Sequence, residues 1–60
     1  MMVFKTRAEK LGGHYHVQVF AASNYSQTFA DIGTLVMDED DYDSFIINFK
    51  AMHTTKEATP

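Results

Sequence analysis

The stretch His14-Tyr15-His16-Val17-Gln18-Val19-Phe20-Ala21 decides the fold, because its polar and apolar residues alternate with a period of two. Tyr15, Val17, Val19 and Ala21 share one face, and His14, His16, Gln18 and Phe20 share the other. This is the pattern of a half-buried strand. Gly12-Gly13 stands directly before it and suits a two-residue hairpin turn, since both central residues of a type I′ turn need positive φ. A hairpin there makes Val3 to Leu11 the preceding strand. A second local signal competes over the same residues. Thr6-Arg7-Ala8-Glu9 has the form of a capping box, and Gly12 would close a helix of one or two turns.

Downstream, Ala22 to Gln27 reads as a polar loop carrying Tyr25, and Thr28 to Met37 reads as another strand. The apolar residues of that strand change parity. Ala30 and Ile32 share a face, whereas Leu35 and Met37 come one position out of step. A β-bulge at Gly33 removes the conflict, because one additional residue returns Leu35 and Met37 to the core side. Met37 then leads into Asp38-Glu39-Asp40-Asp41, an aspartate N-cap followed by first-turn carboxylates at the positive end of a helix dipole. Tyr42, Phe45, Ile46, Phe49, Met52 and His53 follow at helical spacing and form one apolar stripe. The expected structure is an α+β domain over residues 1–54. In it, an antiparallel β-meander of two to three strands is followed by one C-terminal amphipathic helix, with residues 55–60 as a flexible tail.

Sixty residues permit a single domain whose core is marginal, and such domains commonly gain a disulfide, a metal or a second subunit. The chain has no cysteine, which excludes disulfides and thiolate zinc sites. Hydrophobic residues make up 45% of it, so a second copy is the expected cover for the surplus apolar surface. Ile47 lies off the helical stripe and Phe20 lies on the histidine face of its strand, which points to a second buried surface. Phe20, Phe29 and Phe49 are the aromatic candidates for that homodimer interface. The short apolar start Met1–Phe4 is interrupted at once by Lys5 and Arg7, and no run approaches the roughly 20 apolar residues of a membrane span. A cytoplasmic protein without a membrane partner is expected.

Charge is unevenly distributed. Lys5, Arg7 and Lys10 oppose only Glu9 in the first 22 residues, while seven of the eight acids fall in the remainder. A net charge of −3 with a dense acidic block disfavours direct nucleic-acid binding and favours a basic protein surface. Asp38-Glu39-Asp40-Asp41-Tyr42-Asp43 fails the EF-hand spacing, because Asp43 stands where that loop requires glycine. Capping explains the first carboxylates, but five acids in six residues exceed what capping needs. His14 and His16 would project from one side of a strand about 7 Å apart. That spacing seats a divalent metal only if His53 or Asp31 joins through tertiary contact, so no metal or other cofactor is expected. Ser23, Ser26 and Ser44 stand in no nucleophile motif, there is no phosphate-binding loop, and catalysis is not expected.

The strand Tyr15–Ala21, the strand end Gly33-Thr34-Leu35-Val36-Met37 and the acid-led helix with its triplet Asp41-Tyr42-Asp43 resemble in layout the small dimeric phage inhibitors of uracil-DNA glycosylase. The resemblance covers residues 14–50. It implies a phage-encoded, DNA-mimicking inhibitor acting in the host cytoplasm on a DNA-binding enzyme. It also implies that Tyr42 enters a pocket of that enzyme while neighbouring acids stand in for phosphates. The expected contact residues are Asp38, Glu39, Asp40, Asp41, Tyr42, Asp43 and Ile47. Two other readings stay open: an assembly homodimer with no inhibitory role, and a small nucleic-acid-binding protein using Lys5, Arg7, Lys10, His14 and His16.

Overall fold

The computed structural model describes residues 1–57. Its elements run β1 (Val3–Leu11), β2 (His14–Ala22), β3 (Ala30–Asp38), α1 (Glu39–Asn48) and β4 (Met52–Glu57). The four strands form one sheet in the order β3-β2-β1-β4. β1 pairs antiparallel with β2, β2 pairs antiparallel with β3, and β4 joins the free side of β1 in parallel. Among the described residues no helix is long and apolar enough to cross a membrane.

β2 forms as its alternation predicts. Tyr15, Val17, Val19 and Ala21 are buried, while His14, His16, Gln18 and Phe20 face the other way and are exposed or half-buried. The competition over residues 3–11 resolves in favour of the strand. Isolated one- or two-turn helices are marginal, and here β1 is paired along both edges. The residues of the capping box serve the sheet instead. Ala8 is fully buried between Val17 and Thr55, and Thr6 is 2% exposed. Gly12-Gly13 closes the hairpin between the paired residues Leu11 and His14. Only Gly12 has positive φ, at 63°, so the turn meets the requirement of a type II′ turn and not that of type I′.

The bulge expected at Gly33 forms one residue earlier. Val19 pairs with Gly33 and Phe20 with Asp31, leaving Ile32 as the additional residue. Gly33 takes φ 149°, a backbone region that side-chain-bearing residues rarely adopt. The Asp31 carboxylate fixes the bend by accepting the Gly33 amide at 2.9 Å.

Two expectations need correction. The sheet is mixed and four-stranded, so it is larger than an antiparallel meander of two to three strands, and the helix is not the last element. α1 stops at Asn48, with Phe49 extended at its C-terminus, and Met52 and His53 belong to β4. The expected boundary at residue 54 therefore falls inside a strand, while residues 58–60 of the expected tail lie outside the described residues. The physical reason is the free edge of β1. Its unpaired backbone groups are satisfied by β4, a gain no local helical stripe can match.

The chain between α1 and β4 is tied by His53. Its Nε2 lies 2.8 Å from the carbonyl of Phe49, and its Nδ1 lies 2.6 Å from Thr6 Oγ1. A carbonyl only accepts, so Nε2 donates to it, and in the neutral ring Nδ1 accepts from the threonine hydroxyl. One imidazole thus satisfies an orphan carbonyl at the helix end and a buried hydroxyl of β1. Phe45 and Phe49 meet its ring edge-on, with centroids 5.6 and 6.2 Å away, and Phe4 packs on Phe49 at 5.2 Å.

α1 covers the face that carries Tyr15, Val17 and Val19, and its anchor is Tyr42. The Tyr42 ring stacks on Tyr15 with centroids 4.0 Å apart, and its hydroxyl pairs with Thr55 Oγ1 on β4. The opposite face of the sheet bears no helix. Lys5, Arg7, His16, Gln18, Phe20 and Thr34 lie on it.

Gly12→Ala is expected to cost about 1 kcal/mol, since alanine must adopt a left-handed conformation. Gly13→Ala is expected to stay within about 0.5 kcal/mol of the parent. Neither position meets another atom within 4 Å of a built Cβ, so equal losses in urea denaturation would refute the turn assignment. Tyr42→Ala should remove about 3–5 kcal/mol and abolish cooperative folding, whereas Tyr42→Phe should lose only about 1 kcal/mol. A cooperative thermal transition for Tyr42→Ala, read by far-UV circular dichroism, would overturn Tyr42 as the anchor.

Candidate functional site

The acidic block is built by the junction between β3 and α1. Asp38 ends the strand with φ −78° and ψ 178°, and its Oδ1 accepts the backbone amide of Asp41 at 2.9 Å. Glu39, Asp40 and Asp41 occupy the first helical turn, where the exposed amides and the dipole favour negative charge. All five carboxylates, Asp38, Glu39, Asp40, Asp41 and Asp43, are exposed. Only Asp38 has a structural task.

Helical spacing distributes the rest. Tyr42, Phe45 and Phe49 turn toward the sheet, which sends Asp40, Asp43 and Ile47 to the outer side as an i, i+3, i+7 strip. Ile47 is 80% exposed, the most exposed large apolar side chain outside the first two residues. An isoleucine beside two carboxylates on a solvent-facing strip contributes nothing to the core. Tyr42 is the exception among the expected contact residues. It is 3% exposed and stacked on Tyr15, so the phenol is not offered to a partner in this conformation. The acid–aromatic–acid triplet therefore presents its two acids without its aromatic.

The three phenylalanines expected at a dimer interface do not share a surface. Phe20 is half-buried on the open face of the sheet. Phe29 lies under Lys5, whose Nζ is 4.2 Å from the ring centroid, in the loop before β3. Phe49 packs against Phe4 and Phe45 on the helix side. A single flat interface cannot use all three.

Of the basic and imidazole groups, Lys5, Arg7, His14 and His16 do fall on the open face. Lys10 does not, because its Nζ lies 5.6 Å from the Tyr15 ring centroid on the helix side. Glu9 sits opposite His16, and Asp31 accepts from Gln18 Nε2 at 3.5 Å on the same face. His53 is on the other side of the sheet and spends both ring nitrogens on Thr6 and Phe49. Among the described residues no group of three histidine or carboxylate side chains is placed to hold a metal ion.

Sequence reasoning missed the outer edge of β3. Ile32, Leu35 and Val36 are 58%, 46% and 60% exposed there. Beside them runs an apolar groove of about 310 Å³, lined by Val19, Ile32, Leu35, Phe45 and Phe49. The signal was present in the shifted parity of that strand, but only strand order shows that β3 has no outer neighbour. Comparison with models of known families, with curated proteins and with solved structures finds no match for this chain.

Asp38→Ala should cost about 1 kcal/mol of stability through loss of the cap. Asp43→Asn should stay within about 0.5 kcal/mol. Equal effects in parallel urea titrations would mean that the acids form one structural unit and that the outer strip is not free for binding.

Proposed function

We propose that this protein acts by binding and not by catalysis, as a small inhibitor or adaptor whose contact surface is the acidic outer side of α1. The observation that carries this reading is Ile47, 80% exposed and following Asp40 and Asp43 on the outer strip of the helix. The carboxylates steer a basic partner and set the salt dependence, while the apolar side chain at the end of the strip supplies desolvated contact. The proposed partner is a basic protein surface such as the DNA-binding face of an enzyme, with uracil-DNA glycosylase the first to test. Because Tyr42 is buried, the proposed mode uses the acids and Ile47 and does not insert the aromatic ring.

Support for a binding role also comes from where the reactive groups are spent. Among the described residues the hydroxyl–imidazole pair of Thr6 with His53 sits at the base of the helix–sheet contact with Thr6 2% exposed, out of reach of a substrate. Ser26 Oγ donates to Asn24 Oδ1 within its own turn. The nucleic-acid reading has a weaker base, since Lys5 and Arg7 share their face with Glu9 and Asp31.

The test is competition with DNA for a panel of DNA-binding enzymes that includes uracil-DNA glycosylase. The parent protein is expected to compete at low salt and less well at high salt. The combined variant Asp40→Asn, Asp43→Asn, Ile47→Ser should lose roughly tenfold or more in apparent affinity, about 1.4 kcal/mol, while keeping its circular dichroism spectrum. Undiminished competition by the variant, or salt-sensitive binding of the parent to the DNA itself, would sink the proposal.

A further inference from the structure

We infer that β3 is a self-pairing edge: two copies of the chain join β3 to β3 in antiparallel fashion, making one eight-stranded sheet with both helices on the same side. Among the described residues, strand order leaves the outer edge of β3 without a partner along nine residues. Soluble proteins usually blunt such an edge with lysine, proline, an inward charge or a bulge. β3 has no lysine, arginine or proline, its aspartates stand near its ends, and its bulge falls at Ile32. Beyond the bulge and Gly33, the stretch Thr34-Leu35-Val36-Met37 is therefore a regular, uncharged edge, exposed at Thr34, Leu35 and Val36 and half-buried at Met37.

The occupant is fixed by self-complementarity. A two-fold axis between antiparallel strands lies perpendicular to the sheet and keeps each residue on its own face, so it must pass opposite a residue and not between two. Three centres are available. Centring on Thr34 brings the bulged Ile32 of both copies into the ladder. Centring on Val36 sets Gly33 against Glu39, which is already helical. Centring on Leu35 avoids both. It uses Gly33, which closes the bulge, and the four regular residues after it.

That register also fills the groove. Leu35 meets its own mate on the helix side, and the partner's Met37 lies across from Gly33, where an added Cβ would meet nothing within 4 Å. Leu35 and Gly33 both border the apolar groove between β3 and α1, so the partner's methionine supplies the missing apolar contact beside Ile32 and Phe45. On the open face Thr34 lies opposite Val36. Five residues per strand make an interface below the roughly 1,200 Å² of specific stable complexes, so the dimer exchanges with monomer as concentration changes.

This surface is separate from the acidic outer side of α1, and the experiment keeps the two apart. Sedimentation velocity over a wide concentration range is expected to show a monomer–dimer equilibrium. Leu35→Lys should raise the dissociation constant at least tenfold with an unchanged circular dichroism spectrum, because Leu35 is already 46% exposed. The same variant should still occupy an enzyme partner as a monomer, and the Asp40→Asn, Asp43→Asn, Ile47→Ser variant should still dimerise. Since the parent has no cysteine, Leu35→Cys provides a register probe. Opposed residues have Cα atoms about 4.5–5.5 Å apart, within disulfide range, whereas two Val36→Cys residues would stand about 8 Å apart. With oxidised glutathione as electron acceptor, Leu35→Cys should cross-link far faster than Val36→Cys. A monomer at every concentration, a dimer indifferent to Leu35→Lys, or preferential cross-linking at Val36→Cys would overturn the inference. Capture of an added extended peptide by a monomeric parent would assign the edge to a foreign strand instead.

Discussion

The contact on which the rest depends is the stack of Tyr42 on Tyr15, closed by the hydroxyl of Tyr42 on Thr55. Tyr15 belongs to the inner strand β2, Tyr42 to α1 and Thr55 to β4. One side chain thus joins three elements that are distant in sequence. The remaining core is thin. Ala8, Val17 and Val19 complete the buried cluster, and the phenylalanines around it are only partly covered. In a chain of sixty residues the entropy of ordering is offset by few buried groups, so a large aromatic at their centre carries an unusual share of the stability.

Burial of Tyr42 also reshapes the functional question. The acid-led helix start invites attention to an aromatic flanked by aspartates. The structure spends that aromatic on the core and leaves the carboxylates outside, together with an isoleucine that has nothing to pack against. Local sequence could not rank these uses. Tyr42 fits the helical stripe and the triplet equally well, and only the position of Tyr15 beneath it decides which applies.

Much of the fold was legible for a physical reason: its determinants are local. The alternation of Tyr15, Val17, Val19 and Ala21 requires a strand. The parity change between Ile32 and Leu35 requires a bulge, and Asp38 before three further acids requires a helix start. What escaped is non-local. Met52 and His53 continue the helical stripe by coincidence, and the polar segment after them gives no strand signal strong enough to oppose it. β4 exists because β1 offers an unsatisfied edge, and His53 suits the strand because Thr6 and the Phe49 carbonyl already lie where its nitrogens arrive. The same limit hid the exposed edge of β3, since strand order is a property of the sheet and not of any segment.

The crossover from β3 to β4 then explains why the molecule has one covered face, one bare face and one bare edge. The ten-residue helix α1 lies on one side and cannot shield both sides of a four-stranded sheet, which is roughly 14 Å wide between its outer strand centres. It lies over the side where Tyr15 and Val17 are, and the opposite side is left to Lys5, Arg7, Gln18 and His16, which tolerate water. β4 occupies one end of the sheet and covers the edge of β1. At the other end, among the described residues, β3 has no lysine, arginine or proline between Gly33 and Met37 to discourage pairing. An apolar edge left unblunted in so small a protein is a liability unless it is occupied, and a second copy offers the same five residues in reverse order.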